Sequence, residues 1–258
     1  MRPDRLTVNL RPRSGFEAVD LGFALARTHA RELWRAWFLL VLPVMLLFVL
    51  VGWLLQDAFP YAGWLLLWWG KPLYDTVVLL ILSRAVFGER LPLRTALREL
   101  KGLSARILGA LTLRRLSMSR SFLLPAHMLE GLHGTTRNRR IQLLREETTG
   151  SARMLTLAGI HMEMPVMFGL LALALFLTPE LYRDPLFESL LEPETQPGML
   201  LVWQLLYMLT LTVLEPFYMA AGFALYLNRR TLLEAWDIEV ALKRITARVG
   251  SGRTGAAT

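Results

Sequence analysis

The sequence predicts an all-α, polytopic helical membrane protein with four long spans, a short re-entrant or interfacial helical pair and an N-terminal amphipathic helix. Three observations carry the prediction. Of 258 residues, 54% are hydrophobic and 19% charged, below the roughly one-quarter charged that soluble domains show. The apolar excess is gathered into four blocks, 37–56, 61–87, 154–178 and 199–227, each at or above the ~20 residues that carry a helix across a bilayer core. The basic residues, which bring the formal net charge to +8, flank those blocks, where anionic headgroups and the positive-inside rule account for them. An excess of this sign can also mark a nucleic-acid partner, but its distribution along the chain argues for no nucleic acid. With no cysteine, disulfides, thiolate metal sites, iron–sulfur clusters and cysteine nucleophiles are excluded.

The elements follow in order. Residues 1–36 read as a cytoplasmic basic arm leading into an amphipathic helix. Pro3 and Pro12 keep the first stretch irregular, and Ser14 with Glu17 forms a capping-box pattern that would satisfy free donors at a helix start. From Phe16 to Trp37 apolar residues recur at helical spacing, while Arg27, Arg31 and Arg35 line another face. Such a helix lies at the membrane interface with its arginines on lipid headgroups, or packs as an ordinary helix on other protein. A cleavable signal peptide is not expected, because the first apolar block follows a long polar lead and has no small-residue cleavage site.

Residues 37–249 read as a single transmembrane domain. The turn Asp57-Ala58-Phe59-Pro60 holds no basic residue and sends the chain back through the second span. Segment 88–153 then carries Arg94, Arg98, Lys101, Arg106, Arg114, Arg115, Arg120, Arg137, Arg139, Arg140 and Arg145, which marks it as cytoplasmic. Within it, 107–113 and 121–132 are apolar but too short to cross singly, with Pro125 at a break, so they form a re-entrant or surface-lying hairpin. Residues 137–147 read as a charged helix in water. Loop 179–198 sets five acidic residues against the single Arg183 and is placed outside, with a short surface helix at 185–191. The last block, ~43 Å long at about 1.5 Å per residue, must tilt or kink. Residues 231–249 read as an amphipathic cytoplasmic helix and 250–258 as a flexible tail, leaving both termini cytoplasmic in a bacterial inner membrane.

Three spans carry ionisable groups beside a proline near mid-block: Lys71, Pro72, Tyr74 and Asp75; His161, Glu163 and Pro165; Glu215, Pro216 and Tyr218. Charge at that depth is costly unless it pairs or lines a wet cavity. Lys71 and Asp75, four apart, share a helical face and can pair. Each proline frees a carbonyl one turn earlier and is a candidate kink. Two readings follow. In one, Glu163 or Glu215 binds a proton, a cation or a lipid headgroup in a polar pocket. In the other, Lys71, Asp75, Glu163 and Glu215 neutralise one another and lock the helices. His161 reads as a satisfied core histidine, and Trp64, Trp68 and Trp69 as an interface belt or packing surface. Arg229 and Arg230, just past the last block, are candidate headgroup contacts. His127, Glu130 and His133 have a spacing a metal could use, but His-x-x-Glu is common by chance; no metal and no cofactor is assigned. Serine-nucleophile elbows, glycine-rich phosphate loops and zincin motifs are absent from the sequence.

Three segments resemble the glycerophosphoryl diester phosphodiesterase membrane-domain-like proteins of bacteria. They are AVDLGFALAR at 18–27, SRAVFGE at 83–89 followed by LRTA at 93–96, and YLNRR at 226–230 with EAWDIE at 234–239. The resemblance implies a fold and a topology rather than an activity. Catalysis in that family belongs to a separate soluble barrel, and no metal-binding cluster of that kind occurs here. The family's six or so crossings would place a middle pair on 107–113 and 121–132, which preserves the sidedness of both termini.

The expected function is therefore that of an integral membrane protein without evident catalysis, a scaffold or subunit of an envelope assembly. Its partners would be the lipid bilayer, anionic lipid headgroups, and membrane or cytoplasmic proteins. A transporter or channel-like protein using the mid-membrane cluster is the second reading, and a lipid-handling enzyme the third.

Overall fold

A computed structural model describes residues 11–89, 91–112, 114–191 and 197–234, and among these every regular element is helical. Helix α1 (Gly15–Thr28) starts on the expected capping box: the Glu17 N–H donates to Ser14 Oγ at 3.3 Å and the Ser14 N–H to Glu17 Oε2 at 3.0 Å. After His29 the chain continues through α2 (Ala30–Ala36) and a π-helical turn at Trp37–Val41 into α3 (Leu42–Leu54). The first apolar stretch able to cross a membrane is thus Ala30–Leu54. It starts one helical segment before the block 37–56 because Leu33 and Ala36 already turn a buried side inward.

The second stretch, Ala62–Ala85, is built from α4 (Ala62–Trp69) and α5 (Lys71–Ala85), broken at Gly70. Pro72 therefore stands in the first turn of α5, where its missing N–H has no intrahelical partner to lose. It starts a helix instead of kinking one. Two short helices follow, α6 (Leu93–Gly102) and α7 (Ser104–Leu111), then α8 (Arg120–Leu129) and α9 (Gly134–Arg145). The apolar pieces of the middle segment thus fall on α7 and α8. All of α8 from Arg120 to Ala126 is buried, so this ten-residue helix sits in the interior of the bundle and not on a surface.

The third and fourth stretches are α10 (Thr149–Leu177) and α12 (Pro197–Glu234), both continuous through their prolines, Pro165 and Pro216. Between them α11 (Glu180–Leu191) fills most of the acidic loop. The loop's lone basic residue closes α10: Arg183 donates from Nε to the Leu175 carbonyl and from Nη2 to the Thr178 carbonyl, each at 3.2 Å, satisfying acceptors left open at a helix end. Helix α12 runs on to Glu234, so the expected cytoplasmic helix 231–249 begins as a continuation of it. The rest of that helix, the tail and the arm before Arg11 lie outside the described residues.

Helix α12 is the central strut. Helix α1 runs antiparallel along it: the Arg13 N–H donates to Asn228 Oδ1 at 3.0 Å, Gly22 abuts Ala220 and Ala221, and Phe23 meets Phe217 edge-on at 6.2 Å. The stripe Ala18, Gly22 and Ala26 makes the approach possible, since a Cβ at Gly22 would stand 2.4 Å from Ala221 Cα. The amphipathic helix thus buries its small-residue face on the last span, while Arg27, Arg31 and Arg35 remain exposed. Farther along, Trp37 Nε1 donates to Thr212 Oγ1 at 3.3 Å. Helix α10 is the contrary case. Only 6% of its apolar window is buried, and Met154, Ile160, Phe168, Leu173 and Phe176 stand exposed. Such a surface is stable against hydrocarbon and not against water.

A charge network inside the bundle as candidate functional site

Burying an ionised group costs several kcal/mol unless another charge and further hydrogen bonds compensate it, so the interior charges must be accounted for one by one. Asp75 on α5 has a fully buried side chain and receives Arg120 Nε at 2.9 Å. The same guanidinium donates through Nη2 to Glu215 Oε1 on α12 at 2.8 Å. The other oxygen of Glu215 lies 3.5 Å from Lys71 Nζ. Lys71 also donates to Glu163 Oε1 on α10, and Tyr207 donates its hydroxyl to Glu163 Oε2 at 3.1 Å. The chain of contacts Asp75–Arg120–Glu215–Lys71–Glu163–Tyr207 therefore ties α5, α8, α10 and α12 together.

A third cation completes the set. Arg115 is buried, donates to the Trp68 carbonyl and lies with its guanidinium carbon 3.9 Å from the Trp68 ring centroid, a cation–π geometry. Lys71, Arg115 and Arg120 thus face Asp75, Glu163 and Glu215, three formal charges of each sign. Tyr218 lies under Arg120, 5.4 Å from ring centroid to guanidinium, and its hydroxyl meets Thr156 Oγ1 at 3.0 Å. A cavity of about 150 Å³ opens among Lys71, Arg115, Arg120, Glu163 and Glu215. That equals a few water molecules at about 30 Å³ each and falls below the 300–1,000 Å³ usual for small-molecule sites.

Five of the expected residues, Lys71, Asp75, Glu163, Glu215 and Tyr218, are brought together. The expected Lys71–Asp75 pair is not made, because Arg120 delivered by α8 occupies Asp75 and frees Lys71 to reach across to α10 and α12. Tyr74 is buried and packs edge-on against Trp37 at 6.2 Å. His161 is excluded from the network: it is exposed, with Nδ1 2.8 Å from the Leu157 carbonyl. Two residues are roughly 200° of helical turn, so turning Glu163 inward sends both His161 and Pro165 outward. Trp68 is more than packing, since it holds Arg115, whereas Trp64 packs on Tyr207 at 5.2 Å.

Sequence reasoning missed Arg115, Arg120 and Tyr207. In the sequence both arginines fall in the basic segment 88–153 and read as cytoplasmic charges. Arg120 heads the short apolar run at 121–132, and three carboxylates in the spans against a single lysine implied that further cations must enter from elsewhere.

A second network sits at the far end of α12. Arg140 on α9 is bidentate to Glu130 at 3.1–3.2 Å and also meets Glu234. Arg230 pairs with Glu234 at 2.7 Å, and Tyr226 donates to Glu130 Oε1 at 2.7 Å. Arg229, 5% exposed, pairs with Glu147 at 2.7 Å and donates to the Leu143 carbonyl at 3.1 Å. Arg229 thus joins α12 to α9 and the connector after it, whereas Arg230 is engaged by Glu234 one turn on in its own helix, so both candidate headgroup contacts are held by carboxylates of the protein. Glu130 is likewise committed to Arg140 and Tyr226, and among the described residues no three metal-ligating side chains converge. No protein family, curated protein or solved structure matches the chain.

Proposed function

We propose that the chain is a non-catalytic multi-pass component of a bacterial inner (cytoplasmic) membrane, a scaffold or subunit of an envelope assembly, whose interior charges hold its helices in place. The observation that carries this reading is that each of Asp75, Glu163 and Glu215 already engages a cation from a different helix. The resemblance to the phosphodiesterase membrane-domain-like proteins supports a membrane part without a catalytic barrel, and a phosphodiesterase assay on the purified protein is expected to be blank. Exposed Arg27, Arg31 and Arg35, together with the acidic loop 179–198, support cytoplasmic termini, which reporter fusions at both ends would test.

Glu163→Gln and Glu215→Gln are the deciding variants. Both are expected to lose stability in lipid nanodiscs yet, where folded, to keep the partners that copurify from native membranes and to keep cellular function. Lost function with the assembly intact would overturn the scaffold reading in favour of transport. The cavity beside Lys71 and Glu163 is the feature that favours that second reading.

A further inference from the structure

On the other side of Arg120 and Ser117 lies a larger cavity, about 440 Å³, walled by the connector after α7, by α8 and by α9. Its size falls within the range of small-molecule sites. Arg114, Arg137, Arg145 and His127 line it, with Ser117 and Asn138 adding neutral hydrogen-bonding groups, and among the described residues no carboxylate is in the lining. Arg120 forms the deep wall, but its charge is already answered by Asp75 and Glu215.

The other three arginines form no ion pair among the described residues, and Arg137 Nε is buried without a hydrogen-bond partner. Like charges gathered around a partly desolvated hollow repel one another. Burial first, and then the charge of Arg137, hold the Arg114 guanidinium below its ordinary pKa. Guanidinium forks converging on one space match a tetrahedral oxyanion, which can accept two hydrogen bonds from each. A carboxylate would suit one fork, whereas three forks need the several oxygens of a phosphate.

We propose that the Arg114–Arg137–Arg145 cavity is a binding site for a phosphate-bearing anion, either a phospholipid headgroup or a soluble phosphate compound. The site neutralises a cluster that the protein's own described carboxylates leave unanswered. It shares the Arg120 and Ser117 wall with the cavity of the interior ion network but rests on three other arginines, and it stands whether or not the scaffold reading holds.

The test uses the full chain in phosphatidylcholine nanodiscs, titrated with inorganic phosphate, and in parallel the chain in nanodiscs containing phosphatidylglycerol, with bound lipid read by native mass spectrometry. Saturable stabilisation by inorganic phosphate supports the site with a soluble source; selective retention of phosphatidylglycerol over phosphatidylcholine supports it with a headgroup. Arg137→Gln and Arg145→Gln should each weaken binding about tenfold, while Arg139→Gln, exposed on the same helix and outside the cavity, should not. Because each cavity variant relieves repulsion, its ligand-free melting temperature should hold or rise, which separates lost binding from lost folding. No saturable phosphate effect together with no preference for phosphatidylglycerol overturns the proposal, and so does binding unchanged in the double variant Arg137→Gln/Arg145→Gln.

Discussion

Arg120 and Asp75 are 45 residues apart in the chain and 2.9 Å apart in space. The contact explains why a ten-residue helix too short to cross a membrane is buried at the centre of the bundle. Helix α8 carries one cation to two spans at once, since the Arg120 guanidinium also holds Glu215 at 2.8 Å. Most of its other side chains are buried with it, Phe122, Ala126 and Met128 among them.

Removing that cation should therefore be among the most damaging single changes. Arg120→Gln strands Asp75, whose only ion pair among the described residues is this one, and halves the compensation of Glu215. Breaking a buried pair from one side costs about 3–5 kcal/mol. Adding Asp75→Asn to that background should recover part of the loss, because the stranded charge is then gone. A double-mutant cycle on unfolding free energy in nanodiscs reads the coupling, and strictly additive losses would show that the two groups do not act as a pair.

Much of the architecture was legible because it follows from solvent. Blocks of some twenty apolar residues such as 154–178 have no stable home in water, and the capping box at Ser14 and Glu17 is a local signal read within one turn. The charge network was legible by halves. Lys71, Asp75, Glu163 and Glu215 announce themselves because they interrupt apolar runs. Arg120 does not, since it adjoins a polar segment and its burial is decided by where α8 packs. The same limit misplaced Arg229, whose partner Glu147 lies 82 residues away. His161 failed for a different reason: sequence gives its depth in the span but not which side of α10 faces lipid.

The seat of α1 on α12 depends on an absent side chain. Gly22→Val would place Cβ within 2.4 Å of Ala221 Cα and 2.6 Å of the Ala220 carbonyl oxygen, and backbone cannot step aside as a side chain can. Overpacking costs about 1–3 kcal/mol even in forgiving sites. The expected outcome is early protease cleavage at the α1–α2 joint near His29, with the remaining helices intact by circular dichroism. Wild-type protection in the variant would show that α1 is not held by this contact.

Tyr207 offers a finer probe of the network. Tyr207→Phe keeps the edge contact with Trp64 at 5.2 Å but removes the hydroxyl that donates to Glu163. A hydrogen bond to a charged group contributes about 1.5–3 kcal/mol, and that loss is expected in thermal or denaturant unfolding. In a Glu163→Gln background the same substitution should cost less, because the acceptor has become neutral. Equal costs in both backgrounds would place the effect in ring packing alone.

His127 supplies a pH dependence outside the four spans. Burial first, and then the charges of Arg114, Arg137 and Arg145 across the cavity, outweigh the opposing Leu123 carbonyl and hold its imidazole below the ordinary value, about 6.5. Above pH ~6.5 the folded and unfolded chains both carry it neutral, and its contribution to stability is fully present. As pH falls through that value the unfolded chain takes up a proton that the folded chain refuses, so stability declines until the lower folded pKa is reached. In phosphate-free buffer, unfolding followed between neutrality and mild acid should show a slope no steeper than one proton, and His127→Gln should flatten it. Phosphate in the cavity would favour the imidazolium and shrink the same slope in the wild-type chain. A slope that persists unchanged in His127→Gln would assign the titration to another group.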